Sequence, residues 1–158
     1  MTDQMQHAHA HPGPGLTRLA VSATVHCLTG CAIGEILGLV LATWWRWGDA
    51  PSIALAVGLA FLFGYSLTIA PMLRAGLPVR RAIAVALAAD TLSIATMEIV
   101  DNAVVLAVPG AMDAGLADGL FWGSLLASLA VAFVVTVPVN RALIARGKGH
   151  AVVHEFHR

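Results

Sequence analysis

Four carboxylic acids, Glu35, Asp90, Glu98 and Asp101, stand inside stretches of sequence that are otherwise apolar. A carboxylate near the middle of a bilayer disfavours insertion by about 2.5–3.5 kcal/mol on translocon scales, and an intramembrane acid is by default a candidate functional group. No lysine or arginine stands at comparable depth; the basic side chain that does is His26. A buried acid without a basic partner must be protonated, face a water-filled cavity, or hold a cation from outside the chain. Softer donors accompany these acids, namely Cys27, Cys31 and Met97. Thiolate, thioether and imidazole favour Cu(I) or Zn(II), whereas carboxylates also suit divalent cations and protons. The chemistry to expect is the binding and movement of a soft or borderline metal cation.

Spacing organises these residues into two stripes. Cys27, Cys31 and Glu35 recur at i, i+4 and i+8, drifting by about 40° per step around a helix, so they share one face. Asp90, Met97 and Asp101, at i, i+7 and i+11, fall within about 40° of one another, with Ile94 and Glu98 on the flank. Counted from Arg18 and Arg81, Cys27 and Asp90 are each nine residues in, and Glu35 and Glu98 each seventeen. If the two faces meet, they form a ladder of ligands across the membrane. Each residue also has an ordinary use: free cysteine packs as a small hydrophobe and methionine fills gaps. Outside the apolar stretches, His7, His9 and His11 alternate near the N-terminus, and His150, His154 and His157 cluster near the C-terminus. Short histidine-rich tracts hold Cu, Ni or Zn, and His150 and His154 would share a face if that tail is helical. The candidate metal ligands are therefore His26, Cys27, Cys31, Glu35, Asp90, Met97, Glu98, Asp101, His150 and His154.

The elements that must carry these stripes follow from composition. Of 158 residues, 58% are hydrophobic and 11% charged, with mean hydropathy +0.80; a soluble domain carries about 25% charged residues. This is the composition of a membrane protein. Nine Lys and Arg balance nine Asp and Glu, which leaves no basic field to attract nucleic acid. Apolar segments over 18–45, 52–72, 82–108 and 120–144 each reach the roughly 20 residues that a spanning helix needs. Short connections join them, so an all-α, up-down-up-down four-helix transmembrane bundle is expected. Residues 1–17 and 146–158 flank it as tails, and 18–145 form the transmembrane domain. The first sixteen residues lack a basic n-region, so the first apolar segment is read as a retained span.

Eight of the nine basic residues, Arg18, Arg74, Arg80, Arg81, Arg141, Arg146, Lys148 and Arg158, fall on one side of this topology and Arg46 on the other. The positive-inside rule puts both termini in the cytoplasm. Trp44, Trp45, Trp47 and Trp122 gather at the opposite end, as an aromatic belt does. Gly30, Gly34 and Gly38 form a doubled G-x-x-x-G strip, a surface for close helix approach and a seam for the expected homo-oligomer. Alanines between Ala82 and Ala89 suggest another tight contact.

The longest polar-studded runs are TVHCLTGCAIGE at 24–35, AADTLSIATMEIVDN at 88–102, VPGAMDAG at 108–115, the FW pair at 121–122 and PVNRALIARGKGHA at 138–151. In these runs the chain resembles a family of small multi-helix bacterial membrane proteins known chiefly as a domain of unknown function. That resemblance covers roughly residues 24–154 and implies a bacterial inner-membrane protein loosely associated with metal handling.

The leading expectation is a non-enzymatic membrane protein that binds and conducts a soft cation, with copper favoured over zinc and mercury. Its partners would be the bilayer, the metal ion and other copies of itself, with no tightly bound cofactor. No G-x4-G-K-[ST] motif occurs, so no nucleotide is expected and movement would be passive or proton-coupled. A structural accessory subunit is the alternative, with Thr24, Ser66, Thr68, Thr91, Ser93 and Thr96 sharing protons with neutral Asp90 and Glu98. A thiol-redox protein using Cys27 and Cys31 is a further one, although a disulfide within a helix is strained. Axial haem ligation would need a second histidine in the spans, and none exists.

Overall fold

The computed structural model describes residues 14–146, which form four α-helices: α1 (Pro14–Trp45), α2 (Asp49–Arg74), α3 (Val79–Ala107) and α4 (Gly119–Ala145). The histidine-bearing tails, with His150 and His154, lie outside the described residues. Each helix is long and apolar enough to cross a membrane, and the chain is a multi-pass membrane protein. In hydrocarbon a segment must satisfy its own backbone polar groups, and these sequences do so as helices. The first helix begins at Pro14, a turn before the expected Arg18, because proline at a first helical position gives up an N–H that would have no partner there.

The bundle is apolar on the outside and small inside. Leu62, Leu106, Leu126 and Val134 are exposed, and Ile99 is 71% exposed, as lipid-facing residues should be. The core instead collects Ala20, Ala23, Ala60, Ala86 and Ala132, all nearly or wholly buried. Ala82, Ala86 and Ala89 are buried at i, i+4 and i+7, the close contact expected for that run. Sequential helices pack side by side, α4 closes back on α1, and α1 also touches α3 across the diagonal. That diagonal contact positions the site, since the two chemistry-bearing stripes belong to α1 and α3.

The glycine strip is used within the chain. A Cβ on Gly30 would lie 2.7 Å from the Cα of Gly64, one on Gly38 would lie 2.7 Å from the Cα of Ala56, and one on Gly34 would overlap the backbone of Ala60. Helix α2 therefore occupies the surface that the sequence offers as a seam between copies. Glycine strips serve whichever backbone comes closest, and the three-residue turn at 46–48 holds α2 in place.

Both ends of the bundle are tied by turns. The α1–α2 turn has Trp47 N–H donating to Ala42 O and Arg46 N–H to Thr43 O, with Arg46 at φ 53. At the end of α2, Leu77 N–H donates to Met72 O and Gly76 N–H to Leu73 O around Gly76 at φ 85. This is the Schellman arrangement, and its usual apolar contact is present where Leu77 packs with Met72. Met72, Ala82, Ile69, Leu77 and Val85 make an apolar plug at the end that carries Arg74, Arg80 and Arg81.

Candidate functional site

The core between α1 and α3 is a file of polar side chains that runs from the arginine end towards the tryptophan end. At its first level Asn140 of α4 donates through Nδ2 to Thr24 Oγ1 at 2.9 Å, both residues being buried. Thr24 in turn donates to Ala20 O. Two residues further along α1, His26 Nε2 lies 3.3 Å from Thr68 Oγ1 of α2. Asp90 of α3, wholly buried, faces Thr68, His26 and Cys27. Four helices thus contribute within two turns of α1.

At the next level Cys31 Sγ stands 4.0 Å from Met97 Sδ, each residue 1% exposed. Glu98, 4% exposed, lies beside Cys31, and neither of its carboxyl oxygens has a hydrogen-bond donor at bonding distance among the described residues. Both cysteines are free thiols. Beyond them Glu35 faces Asp101 and, more distantly, Glu98. Both Glu35 oxygens and Asp101 Oδ1 are buried and likewise lack a donor from another kind of group among the described residues. Glu35 and Asp101 are among the residues around a largely apolar cavity of about 100 Å³ at the tryptophan end, capped by Ala111 and Met112 of the α3–α4 loop. That loop is pinned by Trp122 Nε1, which donates to Leu116 O, and by Gly115 N–H, which donates to Asp118 Oδ2.

Eight sequence-derived candidates, His26, Cys27, Cys31, Glu35, Asp90, Met97, Glu98 and Asp101, fall in this one file. Their levels differ from those obtained by counting inward from arginines. Cys27 does meet Asp90, but Glu35 meets Asp101, and Glu98 reaches Cys31. Arginines on long stems snorkel and so mark depth poorly. The helices themselves start at Pro14 and Val79, 65 residues apart, against 63 for the two arginines.

Within the described residues no three His, Cys, Asp or Glu side chains converge closely enough to hold one ion. The candidate side chains form successive pairs along the file. Helix α4 supplies none of the expected candidates, yet it adds Asn140 and Thr136, both buried. A polar amide within a spanning segment is the signal that would have identified Asn140.

The hydroxyl donors expected to neutralise the acids are mostly committed elsewhere. Ser66, Thr91 and Thr96 each donate to a carbonyl of their own helix, to Leu62, Leu87 and Leu92 respectively. Thr24 does the same, and Ser93 faces the Cys27 thiol. Thr68 is the one hydroxyl of that set that faces an acid, Asp90.

A family profile matches residues 18–149, from the start of the expected transmembrane domain to just past the last helix, and the chain belongs to that family, described as a domain of unknown function (DUF4396). No curated protein and no solved structure matches the chain.

Proposed function

Starting from membership of this family of unknown function, we propose that the protein binds a soft metal cation, Cu(I) ahead of zinc or mercury, and conducts it along the file between α1 and α3. The observation that carries this reading is the pair Cys31 Sγ and Met97 Sδ, 4.0 Å apart in the core. Two metal–sulfur bonds of about 2.3 Å meeting at about 120° span about that distance. Thiolate with thioether is a donor set that selects Cu(I). The neighbouring Glu98 carboxyl supplies negative charge or a third ligand. A structural zinc site is closed by four ligands, and among the described residues no three of His, Cys, Asp and Glu converge.

Cys27, Asp90 and His26 would receive the ion on the arginine side, and Glu35 with Asp101 on the tryptophan side. The apolar plug around Met72 must part for passage, so transport would alternate between closed and open ends. By the positive-inside rule the plugged end faces the cytoplasm of a bacterial inner membrane. A purely structural subunit is favoured by one observation, the Asn140–Thr24 bond that ties α4 to α1. It leaves Glu35, Glu98 and Asp101 unexplained, because the expected hydroxyls of Ser66, Thr91 and Thr96 bond to backbone instead.

Cu(I) affinity is measured on the purified protein by competition with a chromophoric Cu(I) chelator, and flux is measured in liposomes. Removing an outer-shell partner already costs about 10–100-fold in metal affinity, so Cys31→Ser should lose at least about 100-fold, and Met97→Leu less. Flux should fall with affinity. Copper binding that is equally weak in the wild type and in Cys31→Ser overturns the reading.

A further inference from the structure

The three connections of the bundle differ in length and in how they are held. Residues 46–48 and 75–78 are tight turns, whereas eleven residues, 108–118, join Ala107 to Gly119; helices in a bundle are usually joined by about 2–8. The excess is folded inward. Between Gly110 and Gly115 the chain turns Ala111 and Ala114 into the protein, 4% and 8% exposed, and leaves Asp113 outside. Ala111 N–H donates to Val108 O and Ala114 N–H to Ala111 O, so these backbone bonds stay within the connection. Among the described residues no hydrogen bond joins 111–114 to a helix. The flap is tied down instead by two side chains at the start of α4. Trp122 Nε1 donates to Leu116 O at 2.9 Å, and Asp118 Oδ2 accepts from Gly115 N–H at 2.8 Å; both bonds are exposed.

Under this flap lies the cavity of about 100 Å³, walled mostly by apolar side chains such as Leu39, Ile53, Val105, Phe121 and Leu125. Apolar walls disfavour water, and a constriction of that kind closes a path by dewetting. The flap and the cavity together thus stand between the water at the tryptophan end and Asp101, which is 5% exposed. Raising the flap breaks little packing, because a face that borders a cavity has fewer packed neighbours to lose. The arginine end is shut differently. There Met72, Ala82, Ile69, Leu77 and Val85 pack on one another, and the Leu77 N–H bond to Met72 O fixes the turn above them. Opening that end means taking apart a packed cluster, whereas opening the tryptophan end means releasing two exposed bonds. Gly110, at φ 78, and Gly115 bound the flap, and hinges are a few such loop positions that absorb a change in φ and ψ.

We infer that residues 111–114 are a lid on the tryptophan end of the file, latched by Trp122 and Asp118, which lifts to admit water while the plug around Met72 stays shut. The lid governs access for whatever the file carries, so it rests on the arrangement of the four helices and not on copper. Ser124 lines the cavity and is 6% exposed, which makes it the position from which to follow opening. Ser124→Cys is placed in the full-length protein together with Cys27→Ser and Cys31→Ser, reconstituted in nanodiscs and labelled with a water-soluble methanethiosulfonate reagent.

The expected result is slow labelling that Trp122→Phe and Asp118→Ala each speed about two- to tenfold, the net worth of one hydrogen bond in the opening equilibrium. Together the two substitutions should multiply. Asn140→Leu, which cuts the tie to Thr24 near the other end, should leave the rate unchanged. Rates that neither latch substitution moves, or that Asn140→Leu raises equally, overturn the lid, as does labelling already as fast as in the denatured protein. A second measurement needs no variant: in the wild type, the amides of Ala111, Ala114 and Gly115 should exchange with deuterium well ahead of those of α3 and α4, by a local opening. Exchange of these amides only in step with the two helices overturns the lid as well. No metal takes part in either readout, so the lid and the copper site fail separately.

Discussion

Arg46 pays a backbone penalty that Gly76 and Gly110, in the other two connections, avoid. All three have positive φ, at 53, 85 and 78, and a side chain in that region costs roughly 1–2 kcal/mol relative to glycine. Arg46 supplies the left-handed residue of the turn that closes α1, and its side chain is exposed. Arg46→Gly should therefore raise the unfolding free energy by about 1 kcal/mol, measured by thermal or denaturant unfolding of the solubilised protein, with copper affinity unchanged. A drop in stability would mean that the guanidinium makes an interaction worth more than the strain. Cys27 and Cys31 are each 1% exposed, so both should resist a water-soluble maleimide in the folded protein and react once it is denatured. Rapid labelling of either in the native protein would contradict the closed core.

At the level of elements, the α1–α2 pair is the tightest seam in the bundle, and its tolerance should follow what a Cβ would meet. Gly34 faces the Ala60 backbone, which cannot rotate away. Gly34→Ala should cost about 1–3 kcal/mol, the usual range for overpacking. Gly58→Ala, which has open space around it, should be neutral or slightly stabilising. Unfolding transitions of the two variants side by side would test this, and equal stabilities would refute the packing. The same seam holds α1 in the rotation that turns Cys27, Cys31 and Glu35 inward. A bulkier residue at Gly34 should accordingly weaken copper binding as well as the fold.

Across the whole molecule, the arginine-rich end and the tryptophan end must lie on opposite faces of the membrane. Single cysteines introduced at Ala75 and Ala50, in a background of Cys27→Ser and Cys31→Ser, should label with an impermeant reagent from opposite sides, Ala75 from the cytoplasmic one. Labelling of both from one side would contradict an up-down-up-down bundle. Four spans and the helical stripes were legible in the sequence because apolar length and the 3.6-residue period are local properties. The acids were conspicuous for the same reason, since a charge in a run of apolar residues needs no tertiary information to stand out. What the sequence left open was which faces meet. The glycine strip suited any close backbone, and only the packing assigned it to α2 rather than to another copy of the chain. Counting from arginines matched Glu35 with Glu98, whereas the tilt and register of packed helices bring Glu35 to Asp101 and leave Glu98 beside Cys31. The 4.0 Å approach of Cys31 to Met97, the contribution of Asn140 from α4 and the cavity at the tryptophan end likewise depend on contacts between residues far apart in the chain. Period and hydropathy determine which residues share a face, but the distance between two faces is decided by side-chain packing across helices, which no local pattern encodes.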